Sequence, residues 1–249
     1  MAKLLIQAKS LYKEYYLSRG FIKYKVQALK DVSLSLPAQK TIGIAGESGS
    51  GKTTLAKILA CLIKPDSGAV EYFNIGSIRK DVQMIFQNPF TSLNPKMKVS
   101  QMLYEVLYYH FNLPKEEIWE RIYRVLSLSS LSRDVLDKYP CQLSGGQAQR
   151  VAIARSLAVE PKILVCDEPV SNLDVITAKE VMETLIDLKT RFLEGVIFIS
   201  HNIAMLSRYS DYMYVMHQGR IIEEGAVSEI INSPKQVYTK KLINSAKRV

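Results

Sequence analysis

The chain lacks the features of a membrane-spanning or secreted protein. Nowhere do about eighteen apolar residues run together, the least a transmembrane helix needs, although 47% of its 249 residues are hydrophobic. Its opening, Met1-Ala2-Lys3-Leu4-Leu5-Ile6-Gln7-Ala8-Lys9, has neither the apolar stretch nor the small-residue cleavage site of a signal peptide, so the expected location is the cytoplasm. Cysteine is scarce: Cys61, Cys141 and Cys166 are odd in number and widely spaced, with no CxxC pair. That excludes a disulfide framework and a cysteine-built metal site, and predicts three reduced thiols with Cys61 and Cys166 in the core. No block of five basic residues occurs, and no aromatic and basic alternation of the kind that binds single-stranded nucleic acid. The formal charge is nevertheless +9, which suits an anionic partner, acidic lipid or nucleic acid, without choosing between them. No internal repeat is visible, and the length suits one core carrying a smaller subdomain.

What is present alternates between strand and helix patterns. Leu4 to Ala8 and Ala28 to Leu36 read as strands on either side of a basic, aromatic segment around Leu17 to Val26, expected to be an exposed loop. Thr41 to Ala45 is a short apolar run, followed by a glycine-rich turn and then by Leu55, Ile58, Leu59 and Leu62 at helical spacing. From Pro89 to Ala158 helical periodicity takes over, with Met102, Val106 and Tyr109, then Ile118, Ile122 and Val125, on the expected inner faces. Pro95, Pro114 and Pro140 punctuate this stretch. The α/β pattern resumes with a strand at Ile163 to Cys166, a helix from about Asp174 to Phe192 and a strand at Val196 to Ile199. The Ala178, Val181, Leu185 and Leu188 side chains form that helix's apolar face. A hairpin is expected over Tyr212 to Glu223, turning at His217-Gln218-Gly219. Such alternation implies an α/β protein whose largely parallel sheet binds ligands at its carboxyl edge.

Between the apolar run and its helix stands Gly46-Glu47-Ser48-Gly49-Ser50-Gly51-Lys52-Thr53. Glycines at this spacing let successive backbone N–H groups turn inward around phosphate oxygens, where Cβ atoms would obstruct. Lys52 adds a point charge, the helix start favours the anion, and the Thr53 hydroxyl is placed to ligate Mg²⁺. Asp167 and Glu168 close the strand that begins at Ile163. On opposite faces of a strand end, Asp167 can hold the magnesium through water while Glu168 reaches the attacking water. At Ser144-Gly145-Gly146-Gln147 an S-x-x-Q capping box opens another helix, with Val151, Ala154, Leu157 and Ala158 on its inner face. Two anion-favouring helix starts but one phosphate-loop lysine suggest that two chains meet head to tail.

Leu143-Ser144-Gly145-Gly146-Gln147 is the signature by which the chain resembles the ATP-binding cassette (ABC) family, over about Leu4 to Ile243. The resemblance implies a P-loop NTPase of RecA-like type: a core about 1–88 and 159–233 with an N-terminal antiparallel β region, a helical subdomain about 89–158 inserted in it, and a short tail at 234–249. It implies ATP and Mg²⁺ as ligands, with Gly46 to Thr53 and Thr54 around the phosphates. In such a dimer, Ser144, Gly145, Gly146 and Gln147 face the nucleotide on the other subunit. Gln87 resembles the glutamine that touches Mg²⁺ and the water, and His201 the switch histidine at the γ-phosphate. Ser171-Asn172-Leu173-Asp174 resembles the D-loop, with Asn172 where alanine is usual and the acidic Asp174 kept. Tyr15 aligns with the aromatic that stacks on adenine, with Tyr12 and Tyr16 as competitors.

Three further segments resemble the oligopeptide, dipeptide and nickel importers: Phe86-Gln87-Asn88-Pro89-Phe90-Thr91-Ser92-Leu93-Asn94-Pro95, Leu164 to Ser171, and Pro234 to Leu242. The last is similar to an HPYTxxLL motif with lysine in place of histidine. By that resemblance the chain is a peripheral ATPase on the cytoplasmic face of the cell membrane. Its implied partners are a second ATPase subunit, identical or homologous, two transmembrane permeases and an extracytoplasmic solute-binding protein, with no nucleic acid. An exporter or lipoprotein-releasing ATPase is the first alternative, and a cassette acting on nucleic acid or ribosomes the second. Without a cysteine-bearing extension before Val249, no iron–sulfur cluster is expected.

Overall fold

The computed structural model describes residues 3–19 and 22–246. In chain order the elements are β1 (Leu4–Arg19), β2 (Ile22–Pro37), β3 (Lys40–Ala45), α1 (Lys52–Leu59), β4 (Ser67–Tyr72), α2 (Ile78–Asp81), β5 (Val82–Ile85), α3 (Pro89–Ser92), α4 (Val99–His110), α5 (Lys115–Leu128), α6 (Gly145–Leu157), β6 (Ile163–Asp167), α7 (Val175–Arg191), β7 (Gly195–Ser200), α8 (Ile203–Tyr209), β8 (Tyr212–His217), β9 (Arg220–Ala226), α9 (Val227–Asn232) and α10 (Val237–Ala246). They form two compact units. The first runs from the start of the chain to Ile78 and takes in Val165–Asp167 and everything from Glu194 onward; the second comprises Arg79–Leu164 and Glu168–Leu193.

In the first unit β1 lies between β2 and β4, antiparallel to both. Val32, Leu34 and Leu36 alternate inward as the two-residue period of a strand requires. Near Ser10 and Asp31, both with positive φ, the register slips as in a β-bulge, and the inward set resumes at Leu11 and Leu29. The other sheet of this unit has β3 parallel to β7 on one side and to β8 on the other. Thr41 to Ala45 and all of β7 are buried, the continuous apolar run of strands covered on both faces. The antiparallel strand β9 pairs with β8 through the expected hairpin, in which Gln218 and Gly219 take the positive φ values of 48° and 81° that a tight two-residue turn demands.

The second unit is built on helices. Ile118, Ile122, Val125 and Leu126 of α5, Val151 and Ala154 of α6, and Val181, Leu185 and Leu188 of α7 are buried. Arg150 of α6 bonds Glu180 of α7 at 2.6 Å. The Lys162 N–H donates to Asp81 O at 2.8 Å, setting the start of β6 beside β5.

Four expectations are corrected. The segment around Leu17 to Val26 is not a loop: β1 and β2 run on through it, Leu17 facing Tyr24 and Tyr16 facing Lys25, with a Lys25–Glu14 ion pair at 2.7 Å between the strands. Gly20 and Phe21 of that segment lie outside the described residues. Helix α1 stops at Leu59, because Cys61 turns the chain with φ 55°, so Leu62 is exposed. For the same reason Cys61 is a surface thiol and not a core one. In α4 the buried face is Val99, Met102, Leu103 and Leu107, which leaves Val106 half-buried and Tyr109 exposed.

Candidate active site

The phosphate loop springs from the carboxyl end of β3. Ala45 is paired with Ser200 of β7 and with Val215 of β8, so Gly46 and His201 leave the same edge of the sheet side by side. Two glycines are fixed by space. A Cβ on Gly46 would stand 2.4 Å from Met216 O, and one on Gly51, where φ is +103°, would stand 2.3 Å from Ala28 O. Gly51 thereby delivers the chain into α1 with Lys52 at its first position.

Lys52 is buried, and its ammonium donates to Gly46 O at 2.7 Å and to Glu47 O at 2.8 Å, so the cation lies across the loop it would share with a phosphate. The Ser50 hydroxyl is buried without a hydrogen-bond partner. Glu47, Ser48, Gly49 and Thr53 are exposed, and Thr54 is half-buried. An orphan hydroxyl, a buried cation and a rim of open backbone fit a polyanion. Among the described residues no cluster of three His, Cys, Asp or Glu stands ready to hold a metal. A magnesium ion here would fit the pattern in which phosphates and one or two protein oxygens complete the shell.

Asp167 ends β6 in the same unit and is buried. The thiol of its neighbour Cys166 is fully buried, and burial, then the Asp167 charge, pushes its pKa far up, so it stays protonated. His201 is exposed, one residue before Asn202, whose side chain caps α8 by accepting from the Met205 N–H at 3.0 Å. Tyr15 is half-buried on β1, opposite Val26, with the Lys13 ammonium 5.9 Å from its ring. Tyr16 is 74% exposed, and Tyr12 lies further along β1, opposite Ser67 of β4.

In the second unit Gln87 and Glu168, 81 positions apart, meet: Gln87 Nε2 donates to Glu168 Oε2 at 3.0 Å. Glu168 is buried, and its φ of 46° lies in the left-handed region that side chains avoid. Its carbonyl accepts from the Ser171 N–H at 3.3 Å and the Ser171 hydroxyl at 3.2 Å, which fixes the turn that follows.

Ser144 caps α6 as the sequence predicts. Its hydroxyl accepts from the Gln147 N–H at 3.2 Å while the Ser144 N–H donates to Gln147 Oε1 at 3.1 Å. Asp174 caps α7, accepting from the Ile176 and Thr177 N–H groups at 3.1 and 3.0 Å; the Thr177 backbone bond foremost holds its pKa below the ordinary value. A cleft of about 210 Å³ is walled by Gln87, Asn88, Phe90, Gly145, Asn172 and Leu173, so three of the segments marked in the sequence line one hollow of this unit.

One contact at the loop is not foreseeable from spacing. The Glu47 N–H donates to the Tyr238 hydroxyl at 3.0 Å, bringing α10 onto the phosphate loop 191 positions away. Its only sequence signal is the tail segment beginning at Pro234.

The sequence profile of the ABC transporter family matches residues 29–171. A di/tripeptide transport ATP-binding protein, DppF, of Pseudomonas aeruginosa is 37% identical over 97% of this chain and 78% of its own length. An oligopeptide transport ATP-binding protein, OppF, of Haemophilus influenzae is 38% identical over 88% of this chain and 70% of its own. Among solved structures, the dimeric ATP-binding cassette MJ0796, in a post-hydrolysis state bound to ADP and Pi, superposes with a TM-score of 0.79 at 30% identity. That alignment covers 90% of this chain and 99% of MJ0796. The cbiO1 protein of Clostridium perfringens, part of an ABC transporter complex, gives 0.77 at 28% identity over 98% and 95% of the two chains.

Proposed function

The chain belongs to the ABC transporter family as an ATP-hydrolysing subunit, and on that premise we propose that it powers the uptake of peptides through a membrane complex. The dipeptide and oligopeptide names of its relatives favour peptide over nickel as the solute. The observation that carries the chemistry is the Gln87–Glu168 bond, which sets a carboxylate and an amide together where water could be held and deprotonated.

In this reading the N–H groups of Ser48 to Thr53 surround the phosphates of ATP, Lys52 moves from its carbonyls to the anion, and Thr54 continues the cradle. Mg²⁺, when bound, neutralises charge developing on the phosphates, and Thr53, Asp167 and Gln87 are the groups that would hold it. Glu168 takes the proton of the attacking water, and Gln87 orients that water. His201, leaving the sheet edge beside Gly46, contacts the γ-phosphate. Tyr15 stacks on adenine: Tyr12 stands toward β4, and Tyr16 has little packing to hold its ring in place. The nucleotide core is residues about 1–88 and 159–233, the helical subdomain about 89–158 and the tail 234–249.

Ser144 to Gln147 serve a second ATPase subunit, with Asp174 beside that interface. Two transmembrane permeases and an extracytoplasmic binding protein complete the importer, with this chain at the cytoplasmic face of the membrane. Among the described residues no helix is long and apolar enough to cross a membrane. The test is Glu168→Gln. It should keep ATP binding and lower turnover by roughly 10²–10⁴-fold, the usual worth of a general base; hydrolysis at the parental rate would refute the assignment. Uptake of a labelled dipeptide by proteoliposomes holding the full complex, against ⁶³Ni²⁺, tests the solute.

A further inference from the structure

The Gly46–Glu47 peptide unit is held from both sides. Its carbonyl accepts from the Lys52 ammonium at 2.7 Å, and its N–H donates to the Tyr238 hydroxyl at 3.0 Å. This is the first peptide of the phosphate loop, and its plane sets the direction in which the loop departs from β3. Because the Glu47 N–H points at Tyr238, it is not among the donors that can meet a phosphate. Its orientation instead decides where the Gly46 carbonyl, and so Lys52, stands.

Tyr238 is itself fixed. Its ring lies 4.0 Å, centroid to centroid, from that of His217, the last residue of β8. Met216 just before it presents the carbonyl that leaves no room for a Cβ at Gly46. Helix α10 is anchored where it begins: the Glu223 carboxylate of β9 accepts from the Lys235 N–H at 2.6 Å and the Gln236 N–H at 3.0 Å. Thr239, Leu242 and Ile243 are buried on its inner side. Tyr238 is therefore an immobilised hydroxyl, presented to the loop by a carboxylate clamp, an imidazole in contact at a tilt of 35° and a buried helix face.

We propose that Tyr238 is a positioning residue for nucleotide binding: its hydroxyl pins the Gly46–Glu47 peptide so that the phosphate loop is pre-formed before ATP arrives. The proposal rests on the reading of this loop as the ATP site. Without the hydroxyl the peptide is held from one side alone, by the Lys52 ammonium that ATP draws away in this reading, so ATP must bear more of the cost of ordering it, which weakens binding by the fraction of time the loop is correctly formed.

Tyr238→Phe removes one oxygen and keeps the ring on His217. Losing one neutral hydrogen bond that favours the bound form should weaken MgATP binding by roughly 3- to 10-fold, measured by calorimetry on the full chain. The KM for ATP should rise by the same factor while kcat at saturation stays within about twofold. Hydrogen exchange should quicken in the peptide containing Glu47 and remain unchanged in α1. Unaltered affinity and unaltered exchange would overturn the proposal, and so would a loss of affinity accompanied by a general loss of thermal stability, since Tyr238 would then be packing alone. Lys52→Ala keeps the two readings apart. If the parental chain binds ATP no better than Lys52→Ala, the assignment of the loop fails; if it binds far better but equals Tyr238→Phe, only the role of Tyr238 fails.

Discussion

The chemistry depends on a few residues whose identity is forced by space and not by charge. Gly51 is the sharpest case. Its φ of +103° is one that side chains rarely adopt, and an added Cβ would meet the backbone oxygen of Ala28, which cannot swing aside as a side chain could. Strain of this kind costs about 1–3 kcal/mol before the steric overlap is added. Gly51→Ala should therefore lower Tm by at least about 2–4 °C and reduce ATP binding, as read by thermal melts and calorimetry on one preparation. An unchanged melt with full binding would mean that the loop can take another path past Ala28. Glu168 carries a strained backbone without glycine's excuse, and no rule of sequence pattern announces it. The acidic pair at the end of β6 was legible; the left-handed turn that presents one member of the pair to Gln87 was not.

At the scale of elements, the sequence was a better guide to where helices begin than to where they end or which way they face. The α6 start was legible because a capping box is a local device: Ser144 and Gln147 satisfy each other's N–H groups within one turn. Ser144→Ala should cost about 1 kcal/mol and Ser144→Gly only a few tenths, so the alanine variant should melt roughly 2–4 °C lower and the glycine variant close to the parent. Equal losses would show that the hydroxyl is not acting as a cap. The end of α1 was hidden because it is set by a left-handed residue of ordinary type, Cys61. The inner face of α4 differs from the expected Met102, Val106 and Tyr109 because Tyr109 reads as apolar at helical spacing, whereas the buried set follows Val99, Met102, Leu103 and Leu107. Tyr108 and Tyr109 are in fact exposed, while Tyr104 stands 6.3 Å from Trp119 of α5. The long arm of β1 and β2 escaped because its pairing is held by cross-strand partners such as Glu14 and Lys25, whose contact no periodicity reveals.

For the whole molecule, the open question is what completes each ATP site. The chain carries one phosphate-loop lysine and one signature helix, and the similar cassette MJ0796 is described as a dimer. A two-fold pairing that sets Lys52 of one copy against Ser144 of the other uses the same surface twice and closes without further growth. This arrangement has a consequence that no single-chain site shares. Lys52→Ala and Ser144→Arg should each disable both sites of a homodimer. In a mixed dimer the two lesions fall at one interface, and the other interface receives an intact loop from the Ser144→Arg chain and an intact signature from the Lys52→Ala chain. Equal mixing should thus restore roughly one quarter of the parental ATPase activity, because about half the dimers are mixed and each keeps one working site. Differently tagged chains, pulled down in sequence, establish that mixed dimers have formed. If they have and the activity stays at the level of the inactive parents, the nucleotide is not shared head to tail between two copies of this chain.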